Sequence, residues 1–148
     1  MKSKKIISSF ILVITLLVFS NQYAYAANET WYKGNTYSAS YTVTNNNLTP
    51  YKIIGSSGQL CIQGTFCKAD SPSYSNVRIT VELREYGTGS VLARTVQDNT
   101  SYPNSNSFVV STNVYSGQKI QIFIDISSTN NPPGSYRSAS VQYSAFFI

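Results

Sequence analysis

The segment Asn76–Glu85 reads NVRITVELRE, and its apolar residues fall at every second position. Val77, Ile79, Val81 and Leu83 alternate with Arg78, Thr80, Glu82 and Arg84. A period of two, with β-branched residues at most apolar positions, suits a strand that buries one side of an antiparallel sheet and shows the other to water. A helix would scatter the same residues around its axis. The pattern recurs along the chain. Thr36–Thr44 alternates Tyr37, Ala39, Tyr41 and Val43 against serine and threonine. Lys119–Ser127 sets Ile120, Ile122, Ile124 and Ile126 opposite Gln121, Phe123 and Asp125, and Tyr136–Phe147 lines Ala139, Val141, Tyr143, Ala145 and Phe147 along one face. Tyr51–Ile54, Ser90–Val96 and Phe108–Thr112 are shorter extended pieces.

Turn chemistry separates these runs: Asn45–Asn47, Gly55–Gly58, Gly87 with Gly89, Ser116 with Gly117, and Asn130–Gly134 with its two prolines. The stretch Asp98–Ser107, with Pro103 and several polar residues, reads as a long surface loop. The expected fold is therefore all-β: an antiparallel β-sandwich of jelly-roll or Greek-key type, with about eight or nine strands in two sheets. A barrel is the alternative that the pattern leaves open.

Ahead of this domain stand Lys2, Lys4 and Lys5, an apolar block from Phe10 to Phe19, and Ala24-Tyr25-Ala26. That is the layout of a secretory signal peptide cleaved after Ala26, since the block is well short of the roughly 20 residues a spanning helix needs. Residues 1–26 are thus expected to be a leader and 27–148 a single secreted domain, monomeric and without a transmembrane anchor. Removing the three leader lysines from the 11 basic residues leaves eight against six acidic ones. These charges are dispersed, which argues against nucleic acid as a partner.

Cys61 and Cys67 are the only cysteines. In an exported chain an even count is expected to form a disulfide, here closing a hairpin that turns at Gln63, Gly64 and Thr65. A metal role lacks support, because the chain has no histidine and no second cysteine pair. Asp98 to Thr100, or Asp70 with Ser71 and Ser73, could offer oxygen ligands to calcium, but ordinary turn chemistry explains both. No cofactor is expected.

Catalytic readings fare poorly as well. Without histidine a serine nucleophile has no standard base, and the remaining acid–base pair would be Glu82 with Asp125 across neighbouring strands. The plainer reading puts Glu82 on a wet face between Arg78 and Arg84, paired with them. The protein is expected not to be an enzyme.

Aromatic content carries more information. Twelve tyrosines are present, of which Tyr23 and Tyr25 belong to the leader. Trp31, Tyr32, Tyr51, Tyr74, Tyr86, Tyr102 and Tyr115 fall in loops or at strand ends, and Phe123 on an outward face. Exposed rings beside asparagine, glutamine and serine suit a sugar ring or a protein surface. These seven are the candidate binding residues.

The leader and the small Asn/Ser/Thr/Tyr-rich domain look like exported proteins of Gram-positive bacteria in general. The leading expectation is a secreted, extracellular or wall-associated, non-enzymatic binding module for a cell-wall or other polysaccharide, or for an extracellular protein. A membrane-active antimicrobial or toxin-like protein is the second reading, from the Ser/Thr-rich amphipathic strands. A secreted inhibitor presenting the Cys61–Cys67 loop is the third.

Overall fold

The computed structural model describes residues 29–68, 77–99, 105–128 and 138–148. They form ten strands: β1 (Thr30–Trp31), β2 (Tyr37–Thr44), β3 (Asn46–Leu48), β4 (Lys52–Ile54), β5 (Gly58–Lys68), β6 (Val77–Glu85), β7 (Val91–Asn99), β8 (Asn106–Val114), β9 (Lys119–Ser128) and β10 (Ser138–Phe147). One sheet runs β1-β4-β9-β6-β7 with β3 also on β9, and the other runs β2-β10-β5-β8. Among the described residues only the short β1–β4 pair is parallel. The sandwich expected from the alternation is the observed arrangement. The leader and the segments around Tyr74, Tyr102 and Asn130–Gly134 lie outside the described residues.

The inward faces are those that the period of two selects. Ile79, Val81 and Leu83 on β6 lie opposite Ile126, Ile124 and Ile122 on β9. Facing them across the sandwich are Leu60, Ile62 and Phe66 of β5 and Val141, Tyr143 and Ala145 of β10, and all of these side chains are buried. Each fully buried branched side chain contributes on the order of 1.5–3 kcal/mol, so these faces supply the driving force for stacking the sheets.

Two departures from the sequence expectation are local. Asn45 adopts the left-handed conformation (φ 63°), which asparagine tolerates better than other non-glycine residues. A single such residue swings the chain out of the four-stranded sheet, and Asn46–Leu48 then resumes pairing, with β9. The loop expected from Asp98 also begins later, because β7 extends to Asn99 and β8 starts at Asn106.

The larger correction concerns the cysteines. Residues 58–68 are one continuous strand, paired throughout with β10 and β8, and contain no hairpin at Gly64. Cys61 and Cys67 are unbonded. Six residues of strand separate their Cα atoms by about 20 Å, against the roughly 4.4–6.8 Å that a disulfide spans. Gly64 serves a close approach and not a turn: a Cβ there would run into the Gln142 carbonyl oxygen and the Phe108 ring. The inhibitor reading thereby loses its loop. Burial, beside Ser111 and Phe146 in register, pushes the Cys61 thiol pKa up.

Gly64→Ala separates a strand glycine from a turn glycine. Urea unfolding should show a loss of about 1–3 kcal/mol from overpacking. A neutral outcome would mean the two neighbouring strands do not close on this position.

Candidate functional site

The register that buries Ile122 and Ile124 of β9 turns Phe123 outward, opposite Glu82 of β6, and sets Arg84 opposite Gln121. On the other side of β6, Glu82 lies opposite Arg94 of β7. Glu82 therefore belongs to the outer face by pattern, yet it is only 1% exposed. Two arginines cover it. Arg84 Nε donates to Oε2 at 2.7 Å and Arg94 Nε donates to Oε1 at 2.6 Å. The Arg84 guanidinium in turn lies 3.7 Å from the Phe123 ring centre, within cation–π range. Arg78, expected beside Glu82, instead holds Asp98 through two hydrogen bonds of 2.7 and 3.0 Å. Both oxygens of each carboxylate are thus committed to arginines. That removes Glu82 as a partner for Asp125 in acid–base work, and Asp98 as a free calcium ligand.

Burial pushes the Glu82 carboxyl pKa up, but the hydrogen bonds and charges of Arg94 and Arg84 outweigh it and hold the carboxyl below its ordinary range. The consequence for Arg84 is geometric. A guanidinium bonded to a buried carboxylate and stacked on a ring has lost most of its freedom before any ligand arrives.

One end of the sandwich carries the rings. Tyr86 follows β6 and Tyr51 precedes β4, and the two rings meet with centroids 4.4 Å apart and planes inclined at 34°. Lys119 Nζ stands 5.2 Å from the centre of the Tyr51 ring, and the Lys119 carbonyl accepts the Tyr86 amide at 2.9 Å. Tyr86 is 45% exposed, while Tyr51 is half-buried. At the same end the Tyr32 ring lies over Gly55, leaving no room for a side chain there. Tyr115 opens the turn from β8 to β9, which Ser116 ties to the Gly55 carbonyl at 3.2 Å. Tyr32 and Tyr115 are both exposed.

Of the seven candidate binding residues, then, Tyr32, Tyr51, Tyr86 and Tyr115 are gathered at one end of the molecule. Tyr74 and Tyr102 lie outside the described residues. Trp31 is a correction: it is buried, stacked on Tyr37 with centroids 5.1 Å apart, and its indole donates to Glu29 at 3.0 Å. Lys52 closes over it and also bonds Glu29 at 3.3 Å. Thr30–Trp31 pairs with β4 as a short strand, and that pairing carries Trp31 inside.

Arg84, Arg94, Lys119 and Gln121 were not marked by the sequence as site residues. Their outward alternation was visible, but their meeting with Phe123 and the tyrosines depends on which strands are neighbours. No protein-family model matches the chain, and no curated protein matches it.

The Glu82 cluster makes a pH prediction. Because the folded pKa is depressed, its contribution to stability is present above the ordinary glutamate value of about 4.3 and is lost as the pH falls through the lower folded value. At neutral pH Glu82→Gln should be less stable by about 1–3 kcal/mol, through loss of charge-assisted hydrogen bonds. Between about pH 5 and pH 2 the parent protein should lose more stability than the variant. Parallel pH profiles in denaturant titrations would contradict the buried pairing.

Proposed function

We propose that this protein is a secreted, non-enzymatic binding module that holds an extracellular surface glycan on the outer face of the six-stranded sheet. The observation that carries this reading is the Tyr51–Tyr86 ring pair beside Lys119 and a pre-fixed Arg84–Phe123 stack. A pyranose presents C–H groups on its faces and hydroxyls around its rim. Exposed aromatic faces take the former, and fixed cationic and amide donors take the latter. Little side-chain freedom remains to be lost at Arg84, which favours affinity from a small contact.

With Arg78 and Asp98 paired to each other, Arg84, Arg94 and Lys119 exceed the Glu82 and Asp125 carboxylates on this face by one charge. A polymer with acidic substituents therefore gains an attraction that salt weakens, whereas the ring contact persists. An extracellular protein shares the same surface chemistry, because tyrosine and arginine dominate protein hot spots. Competition by soluble oligosaccharide distinguishes the two partners.

Co-sedimentation with purified cell wall and insoluble polysaccharides, at low and high salt, tests the proposal. The double variant Tyr51→Ala/Tyr86→Ala should bind at least about tenfold more weakly, as expected for two lost ring contacts of roughly 1 kcal/mol each. Its strand content by circular dichroism should stay that of the parent, since both rings lie outside the buried core. Equal pelleting of variant and parent would remove this face from the binding reaction.

A further inference from the structure

The two sheets differ sharply in charge. Strands β6, β7 and β9 carry Arg78, Glu82, Arg84, Glu85, Arg94, Asp98, Lys119 and Asp125, whereas across β2, β5, β8 and β10 the sole charged residue is Lys68, at the end of β5. A solvated sheet face ordinarily carries charges, for solubility and to discourage edge pairing. The outer face of the four-stranded sheet has none in its middle.

That face is also hollow. An open groove of about 830 Å³ crosses it, with Gly64 and Phe108 among its lining. Two rows of uncharged polar side chains run across the adjacent strands β2, β10 and β5 in register: Ser38, Ser144 and Gln63 in one, and Ser40, Gln142 and Thr65 in the next. The rows stand about 7 Å apart, two residues of strand rise. Ser38 and Ser144 share a hydrogen bond of 3.0 Å. The side chains of Ser40, Gln63, Thr65 and Gln142 have no hydrogen-bond partner among the described residues. All four are exposed toward the groove.

We propose that this groove is a second binding site, for an uncharged glycan, independent of the tyrosine and arginine face. The occupant follows from complementarity. Hydroxyls and carboxamides each donate and accept, as do the hydroxyls of a neutral sugar, so either partner can satisfy the other in several arrangements. An ionic ligand would lose hydration with no counter-charge in the lining, whereas a neutral sugar can set its C–H faces on the exposed Val109 and its hydroxyls on the polar rows. Gly64 contributes by omission. Without its Cβ, β10 and the Phe108 ring close in at the floor, and the polar rows stand along the walls.

The test is an NMR titration of the ¹⁵N-labelled protein with cellotetraose, chitotetraose and mannotetraose, each to saturating millimolar concentration. At least one should shift amides of β2, β5 and β10 around Ser40, Gln63 and Gln142, with an affinity unaffected by salt. Gln63→Ala/Gln142→Ala should weaken that binding by at least about tenfold. Tyr51→Ala/Tyr86→Ala should leave it unchanged, so failure here and failure of the ring face are read separately. No shifts in these strands with any of the three sugars, or shifts that survive the double glutamine variant, would overturn the proposal.

Discussion

The pairing of β6 with β9 is the constraint on which the rest of the molecule depends. One register places Ile79, Val81 and Leu83 against Ile126, Ile124 and Ile122 on the inside and, between them, Glu82 against Phe123 and Arg84 against Gln121 on the outside. Core and candidate site are two faces of the same ladder. Because side chains alternate strictly, a slip of one residue would turn the isoleucines to solvent and Phe123 inward. Burial of the isoleucines therefore indirectly fixes the positions of the outer groups.

The buried Glu82 carboxylate is the second element of this economy. A charge so enclosed would be costly alone, yet two arginines supply both its hydrogen bonds and its countercharge, and the Phe123 ring supports one of them. The cations are held by a group that no ligand displaces without leaving a buried charge unpaired. On the opposite sheet the same sandwich presents neutral hydroxyls and amides. The molecule thus offers two chemically distinct faces, one cationic and aromatic, the other uncharged and hollow.

Most of the architecture was legible in the residues. The alternations in Val77–Glu85, Lys119–Ser128 and Ser138–Phe147 identify strands and their inward faces without reference to neighbours. What failed were features that depend on a partner strand. Gly64 looks the same in a turn and at a close approach, and only the position of Gln142 and Phe108 decides between them. The cysteine parity was sound chemistry applied to two residues that one extended strand keeps apart. Trp31 sits in a polar stretch and reads as exposed, but the parallel pairing of β1 with β4 places it against Tyr37 under Lys52. For the candidate site, the sequence singled out Tyr51 and Tyr86 but not the cations beside them, because which side chains meet depends on the register.

That register can be read directly. Interstrand Hα–Hα contacts in an NMR spectrum report which residues of β6 and β9 stand opposite one another at alternate positions. Contacts are expected within the series Ile79–Ile126, Thr80–Asp125, Val81–Ile124, Glu82–Phe123 and Leu83–Ile122. Contacts displaced by one residue along β9 would contradict this register, for the core and the ring-and-arginine face together.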